Sequence, residues 1–439
     1  MRDLIRAVKC MKITTSYKQR ITNHEHNSVL KNTVMLYTSV IKYLLDVVNN
    51  EWENIKDLRN KEMVNYIEKL IHKTSDNPSP KYDFDILFYK FPSYLRRNAI
   101  ASAIGKIKSY KSNLTNWEAT DKTTKQPSFP SVNREYPVLY QGNMFKDDTK
   151  IKVFKNNDWV WIDLTFKKSD VDYINTHCMG RKKLCPKLVR NNKNWCLIFS
   201  FEENVKLKDI KDTILAVDLG INNACVCSVM TKDGTILDRK FLRLTKEIDS
   251  LRYKRNKIKR AKKHGSKKTP KLWAIANNMN KRISVITANF IINVAKENNV
   301  DVIVFERLDL NGKKRGDNKQ KLHLWKAKNV QDMVELKAHR EGMRISRVCA
   351  WNTSKLAYDG SGVVTRFNNN YSMCIFSTGK LYNCDLSASY NIGARYFIRE
   401  ILKSLSEMRR LEVLAKVPEL STRSRCTLSS LISLSTELA

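Results

Sequence analysis

Three acidic residues sit where acids are uncommon. Asp218 closes the apolar run Ile214-Leu-Ala-Val217, and Glu306 closes Val302-Ile-Val-Phe305. Asp385 opens Asp-Leu-Ser-Ala-Ser-Tyr-Asn-Ile392. Short runs rich in β-branched residues are the signature of buried strands, and a buried strand rarely carries a lone acid without a partner or a metal. Each acid also has an ordinary reading, Asp218 as a turn cap and Asp385 as a helix N-cap. Taken together they suggest a carboxylate cluster at one end of a mixed sheet. Carboxylates cannot stay ionised side by side without cations. Oxygen-only ligands point to Mg²⁺ or Mn²⁺. Asp301 and Asp309, on either side of Glu306, read as structural.

The elements that must position these acids follow from the pattern around them. Gly220 turns the chain after Asp218, and Ala224 to Met230 returns as a second strand. Thr231-Lys-Asp-Gly234 turns it again, so the first acid sits in a β-meander. A helix is expected from Lys271 to Asn298, leading into the strand that ends on Glu306. Another helix is expected over residues 319–341, and a strand at Met343–Val348. Upstream, residues 9 to 20 alternate as a strand, and Ser28 to Lys56 repeats with the helical period. Further helices are expected at 61–73 and from Pro92 to Trp117, with Ser93 as N-cap. From Tyr136 to Glu203 the texture is that of strands, among them Tyr136-Pro-Val-Leu-Tyr140, which predicts a small antiparallel barrel or sandwich. The first strand is expected to join it, with the helices inserted between. The Ser/Thr-rich tail after 405 shows no pattern.

Charge narrows the partners. The chain has 439 residues, 80 Lys+Arg against 44 Asp+Glu, and a formal net charge of +36. That excess calls for a polyanion, of which nucleic acid fits best. In that setting, two divalent ions held by three acids imply phosphodiester hydrolysis, one activating water and the other stabilising the leaving oxygen. Residues 251–271 contain no acid at all. Their Arg252, Lys254, Arg255, Lys257, Lys259, Arg260, Lys262, Lys263, Lys267 and Lys268 are expected to contact phosphates, as are Arg96 and Arg97 on the earlier helix. No apolar run approaches the roughly 18–20 residues of a membrane span. The beginning of the chain lacks a signal-peptide core, and the 10 cysteines form no disulfide framework. The expected place is the cytoplasm, associated with the bacterial nucleoid when DNA is bound.

Three stretches resemble a known family. Val217-Asp-Leu-Gly-Ile-Asn-Asn223, Phe305-Glu-Arg-Leu-Asp-Leu310 and Asp385-Leu-Ser-Ala-Ser-Tyr-Asn-Ile392 are similar to the three RuvC motifs of the TnpB family. These are RNA-guided nucleases encoded by insertion-sequence transposons, from which miniature type V CRISPR effectors descend. Leu336-Lys-Ala-His-Arg-Glu-Gly-Met-Arg-Ile345 and Asn352-Thr-Ser-Lys355 resemble the segment after the second acid. The resemblance covers about residues 194 to 397. It implies an α/β chain with an RNase H-like (RuvC) nuclease domain, a β-barrel wedge domain and an inserted helical recognition domain. The implied layout is a first wedge strand at 1–27, helical recognition domain at 28–119 and wedge barrel at 120–208. RuvC parts follow at 209–348 and 382–405, separated by a target-binding module at 349–381, with a tail at 406–439. Asp218, Glu306 and Asp385 would be the catalytic, metal-holding carboxylates, with two Mg²⁺ (or Mn²⁺) ions per site. A guide RNA, derived from a transposon end or of CRISPR type, and double-stranded target DNA would be the partners. Protein would read only a short flanking DNA motif.

One departure from that family stands out. Its zinc ribbon uses two Cys-x-x-Cys pairs, whereas this sequence has Ala357 and Gly360 at the first pair. At the second it keeps Cys374, with Ser377 and Thr378 where the partner belongs; Cys349 and Cys384 have the wrong spacing. No structural zinc is expected, and Val363, Val364, Tyr371, Ile375 and Phe376 are expected to hold the module instead. Two other functions share these features: a guide-dependent DNA-binding repressor with weak or no cleavage, and a DNA strand-transferase with the same acids.

Overall fold

The computed structural model describes residues 10–120, 125–210, 212–220, 224–266, 268–308, 327–367 and 372–439. Asp309, Lys267 and Tyr371, singled out above, lie outside the described residues. The chain divides into two compact units, Thr14–Glu203 and Asn204–Ala439, the latter including the residues up to Ile13. Among the described residues no helix is long and apolar enough to cross a membrane.

The first unit packs helices against two small sheets. Helix α1 (Asn27–Asn50) buries Leu30, Val34, Tyr37, Ile41, Leu44 and Val48, the stripe of a 3.6-residue period. It lies on α3 (Ser93–Glu118), which in turn packs on α2 (Asn60–Ile71), and all three share one apolar cluster. Ser93 is not the N-cap of α3: Pro92 takes that place, and no side chain caps the helix. Strand β1 (Cys10–Arg20) does join the later strands. It pairs with β5 (Asn194–Lys206), which also carries β4 (Lys187–Asn191). A second sheet contains β2 (Lys150–Lys155) and β3 (Asp158–Asp163), turned by Asn156 and Asn157, both at positive φ.

The expected barrel is not there: the two sheets are open, and no closed barrel forms among the described residues. Prolines explain part of the difference. The segment Tyr136–Tyr140, expected as a strand, makes only one bridge, between Val138 and Lys187. Pro137 and Pro186 have no N–H, so they can only accept, from Leu188 (3.0 Å) and Leu139 (2.8 Å). The ladder cannot extend, and the sheets meet through side chains such as Phe145 and Phe199, 5.6 Å between ring centres.

The second unit is built on a five-stranded mixed sheet. Strands β6 (Thr213–Asp218), β7 (Cys225–Thr231) and β8 (Ile236–Leu242) form an antiparallel meander. Strands β9 (Val302–Arg307) and β10 (Arg344–Cys349) then run parallel to β6, giving the order β8-β7-β6-β9-β10. Alternation sorts the two faces. Leu215, Val217, Ile303 and Phe305 pack against α5 (Pro270–Glu297) and α6 (Ala327–Arg340). Ile214, Ala216, Val302 and Val304 pack against α7 (Cys384–Ser404). A strand covered on both faces has no polar side, which is why these runs read as unbroken apolar stretches.

Helix α7 sits unusually close to the sheet. A Cβ at Gly393 would fall 2.0 Å from Met230 Sδ and 3.1 Å from Ala216 Cβ. The tail is structured too: α8 (Glu407–Lys416) and α9 (Leu428–Leu438) bury Val413, Leu431 and Leu434 beside α7. Each fully buried leucine contributes about 1.5–3 kcal/mol. The stripe Leu428, Leu431, Leu434 was the signal for α9, diluted in sequence by the serines between.

Between β10 and α7 lies a module with a three-stranded sheet of Thr365–Arg366, Met373–Ile375 and Leu381–Asn383. Its interior is Ala357, Cys374, Phe376 and Cys384, with Tyr358, Val364 and Tyr382 against them. Val363, expected inside, is instead 69% exposed. It bridges Leu356 at the module's edge, and the aromatic rings of Tyr358, Phe376 and Tyr382 fill the interior.

Candidate functional site

The sheet carries two of the three acids to one place. Phe305 pairs with Val217 in parallel register, so the next residues, Glu306 and Asp218, end neighbouring strands. Both follow the alternation of Val304 and Ala216, which puts them on the α7 side. Asp385 lies in the first turn of α7. It is not the cap of that helix. Asn383 is, accepting from the Leu386 N–H at 2.9 Å, so capping does not account for an acid at 385.

The three acids share one electrostatic environment. Burial pushes the Asp218 carboxyl well above the usual carboxylate range, and the Glu306 and Asp385 carboxylates push it further; Arg366 opposes them. Burial also raises Glu306, against a hydrogen bond from Thr353 and the charge of Arg395. The site is therefore short of positive charge, and its donors are all oxygens, which suits a hard divalent cation. The side chains do not close into a cage: among the described residues no group of three or more His, Cys, Asp or Glu stands ready to hold an ion.

Several supports of the site were not singled out from sequence. The Thr353 hydroxyl donates to Glu306 Oε1. The Gln331 amide donates to the Glu306 carbonyl at 3.0 Å. Asn391, buried within α7, donates to the carbonyls of Thr353 and Leu356, both at 3.0 Å, and accepts from the Leu428 N–H at 3.1 Å. One side chain thus joins the helix of Asp385, the loop that holds Glu306 and the tail. Arg395 ties the carbonyls of Cys349 and Trp351 (2.7 Å each) to those of Ser424 and Cys426 (3.0 Å each). Ser228 and Ser389 join β7 to α7 by a buried hydroxyl pair. The available signal was a polar residue inside an apolar helical stretch, as Asn391 is between Tyr390 and Ile392.

The expected phosphate contacts divide. Helix α4 (Thr245–Lys263) places Lys257, Lys259, Arg260, Lys262 and Lys263 in solvent, with Lys268 exposed just after it. Arg252 is exposed but paired with Asp249 at 3.2 Å, and Lys254 and Arg255 are half-buried. Only Ile258 anchors the helix fully, against Ala276 of α5, with Leu251 and Trp273 beside them. Arg96 is a correction. It is 5% exposed and bound to Glu68 at 3.2 Å, because α3 packs on α2 along that side. Arg97 binds the same carboxylate and Asn65 (2.7 Å).

A TnpB-like protein of Aquifex aeolicus (strain VF5), aq_aa05, is 27% identical over 236 residues, 47% of this chain and 75% of that protein. That likeness is to a TnpB-like protein, the family that the three acid-bearing motifs resemble. A second Aquifex aeolicus (strain VF5) protein, the uncharacterized aq_aa04, is 27% identical over 175 residues, 37% of this chain and 99% of that protein. The Aq_aa04 family model matches residues 13–155. Among solved structures, a Cas12f1–sgRNA–target DNA complex matches with a TM-score of 0.52 at 15% identity, over 87% of this chain and 98% of that one. That likeness is one of fold, and it fits the RNase H-like α/β sheet of the second unit.

Proposed function

We propose that the chain is an RNA-guided DNA endonuclease that hydrolyses target phosphodiesters next to a short flanking DNA motif. One observation carries the reading: Asp218 and Glu306 end adjacent parallel strands, and the Asp385 carboxylate acts on Asp218. The setting supports it, since the chain is similar to a TnpB-like protein and carries a net charge of +36. The Cas12f1 complex whose fold it shares contains sgRNA and target DNA. Guide RNA and DNA are the corresponding partners here.

In this reading Asp218, Glu306 and Asp385 would hold two divalent ions, Mg²⁺ or Mn²⁺. Such a pair supplies an activated water and a stabilised leaving oxygen. The chain's own residues do the rest. Burial disfavours ionisation of Asp218 and Glu306, and at Asp218 the neighbouring carboxylates add to it, so the arrival of positive charge would favour the ionised forms. Thr353 and Gln331 hold Glu306 from both its side chain and its backbone. Asn391 keeps Thr353 in register with α7 and so with Asp385. Exposed cations of α4 attract the backbone phosphates. The helices of 28–119 would hold the guide–target duplex, and the strands of 120–208 would form the wedge.

The test is to purify the chain, sequence the RNA that comes with it, and offer a plasmid matching that RNA. Cleavage in Mg²⁺, abolished by chelator, is expected. Tight, guide-dependent binding without cleavage would instead identify a repressor, and joined DNA ends a strand-transferase.

A further inference from the structure

We propose that the second unit contains a pocket for one unpaired nucleotide, separate from the three acids. A cavity of about 660 Å³ opens between β10, α7 and the tail, within the ~300–1,000 Å³ usual for ligand sites. Its floor is apolar: Val348, Ile398, Leu402, Leu414 and Leu420. Its wall carries arginines and no acid among the described residues. Some of these cations are committed. Arg395 holds four carbonyls, Arg347 binds Glu335 at 2.7 Å, and Arg399 binds Glu400 at 2.7 Å. Arg307, Arg410 and Arg423 also line the cavity, are exposed, and have no side-chain hydrogen bond or ion pair among the described residues. Trp351, on the rim, is 76% exposed.

An apolar floor, a ring of uncommitted guanidinium groups and an exposed indole select a ligand with a flat apolar body and negative charge. A nucleobase with its phosphate has both. The base stacks on the indole or enters the floor, and the phosphate takes the arginine fork. A base within a duplex has both faces covered by its stacked neighbours, so the strand must be single there. The pocket is also tied by the chain to the acids: Arg307 follows Glu306, and Trp351 stands two residues before Thr353, which binds Glu306. A nucleotide seated here belongs to a strand passing the acid site. That last step, and no other, rests on the proposed nuclease reading.

The experiment uses the full chain and short single-stranded oligonucleotides carrying 2-aminopurine, in DNA and RNA arms, with an abasic DNA as control. Quenching of 2-aminopurine on binding is expected. Trp351→Ala and the pair Arg410→Ala with Arg423→Ala are each expected to weaken binding about tenfold. Both change exposed residues, so the melting temperature is expected to stay put. The abasic strand is expected to bind as weakly as the Trp351→Ala variant binds the intact one. A stronger DNA arm assigns the nucleotide to the substrate strand, and a stronger RNA arm to the guide; either supports the pocket. Wild-type affinity in both variants, or equal affinity for the abasic strand, overturns it. Loss of the nuclease reading shows differently, as absent plasmid cleavage with quenching and its variant sensitivity unchanged.

Discussion

The ends of β6 and β9 and the exposed side of α4 are both gatherings of like charge, and they are held in opposite ways. Asp218 and Glu306 are partly buried, and Glu306 is held by contacts from Thr353, Gln331 and, through Thr353, Asn391. The cations of α4 stand in solvent on a helix with one fully buried anchor, Ile258. Like charges in a buried place raise the energy of the fold until a counter-ion enters, so their geometry must be imposed by others. Like charges on an exposed helix repel weakly through water, and a polyanion relieves them without any fixed geometry. One arrangement suits chemistry on a single bond; the other suits holding a backbone of any sequence.

Asp218→Ala breaks this comparison most sharply. Removing a carboxylate that acts only where charge develops should cost several kcal/mol in the transition state and little in binding. Plasmid cleavage is expected to fall by at least about 10³-fold, while guide and target binding by gel shift stay within about twofold. Cleavage at the wild-type rate would remove Asp218 from the mechanism.

The converse change is Lys257→Gln, Lys259→Gln, Lys262→Gln and Lys263→Gln together. Duplex binding should weaken for every sequence. The log–log salt slope should fall by roughly 0.9 for each phosphate no longer neutralised, about 3–4 units for all four. Single-turnover cleavage of DNA already bound should keep its rate. An unchanged slope would show that these cations meet something other than phosphate.

Asn391→Ala tests whether the acid end is imposed from outside. It leaves two carbonyls and one N–H without their partner inside the unit. The expected loss is about 2–4 kcal/mol of stability, together with slower cleavage at saturating Mg²⁺. Restoration of cleavage at the wild-type rate on cooling, with the protein fully folded, would limit Asn391 to stability.

These contrasts also show what could be read from the chain. The sheet and its acids were legible because a strand covered on both faces writes itself as an unbroken apolar run, so a terminal acid stands out. Glu306, after Val302–Phe305, is such a case. The basic run was legible because no acid interrupts residues 251–271. Arg96 was misread because sequence counts charges without their partners, and Glu68 comes from another helix 28 residues away. Thr353, Asn391 and Arg395 escaped because their roles are hydrogen bonds across 29 to 47 residues, which no local period records. The barrel failed for a local reason that was visible, the two prolines at 137 and 186, but their pairing was not.

Arg96→Met sharpens the same point at smaller scale. Glu68 keeps Arg97 as its partner, so the buried carboxylate is not left alone. Stability is expected to drop by about 1–3 kcal/mol, and the salt slope of DNA binding to stay as in the wild type. A reduced slope would return Arg96 to the phosphate-binding surface.

The smallest expected effect concerns a third cluster, the thiols of the module before α7. Cys374 and Cys384 are buried together, and burial first, then the Cys384 thiol, pushes Cys374 up to about 12. Burial raises Cys384 as well. Acids crowded at a strand end need a cation, and exposed cations need a polyanion, but thiols with raised pKa values settle the conflict by keeping their protons. Cysteine holds zinc as the thiolate. Ala357, at one expected ligand position, is part of the apolar interior, beside Tyr358 and Phe376. Chelator in magnesium-free buffer at pH 7 should therefore leave the melting temperature unchanged, and elemental analysis should find far less than one zinc per chain. Cys374→Ala with Cys384→Ala should lower stability only through poorer packing, about 1 kcal/mol for each buried sulfur. One tightly held zinc, released with a fall in melting temperature, would mean that the thiols ionise after all and belong with the acids rather than with the core.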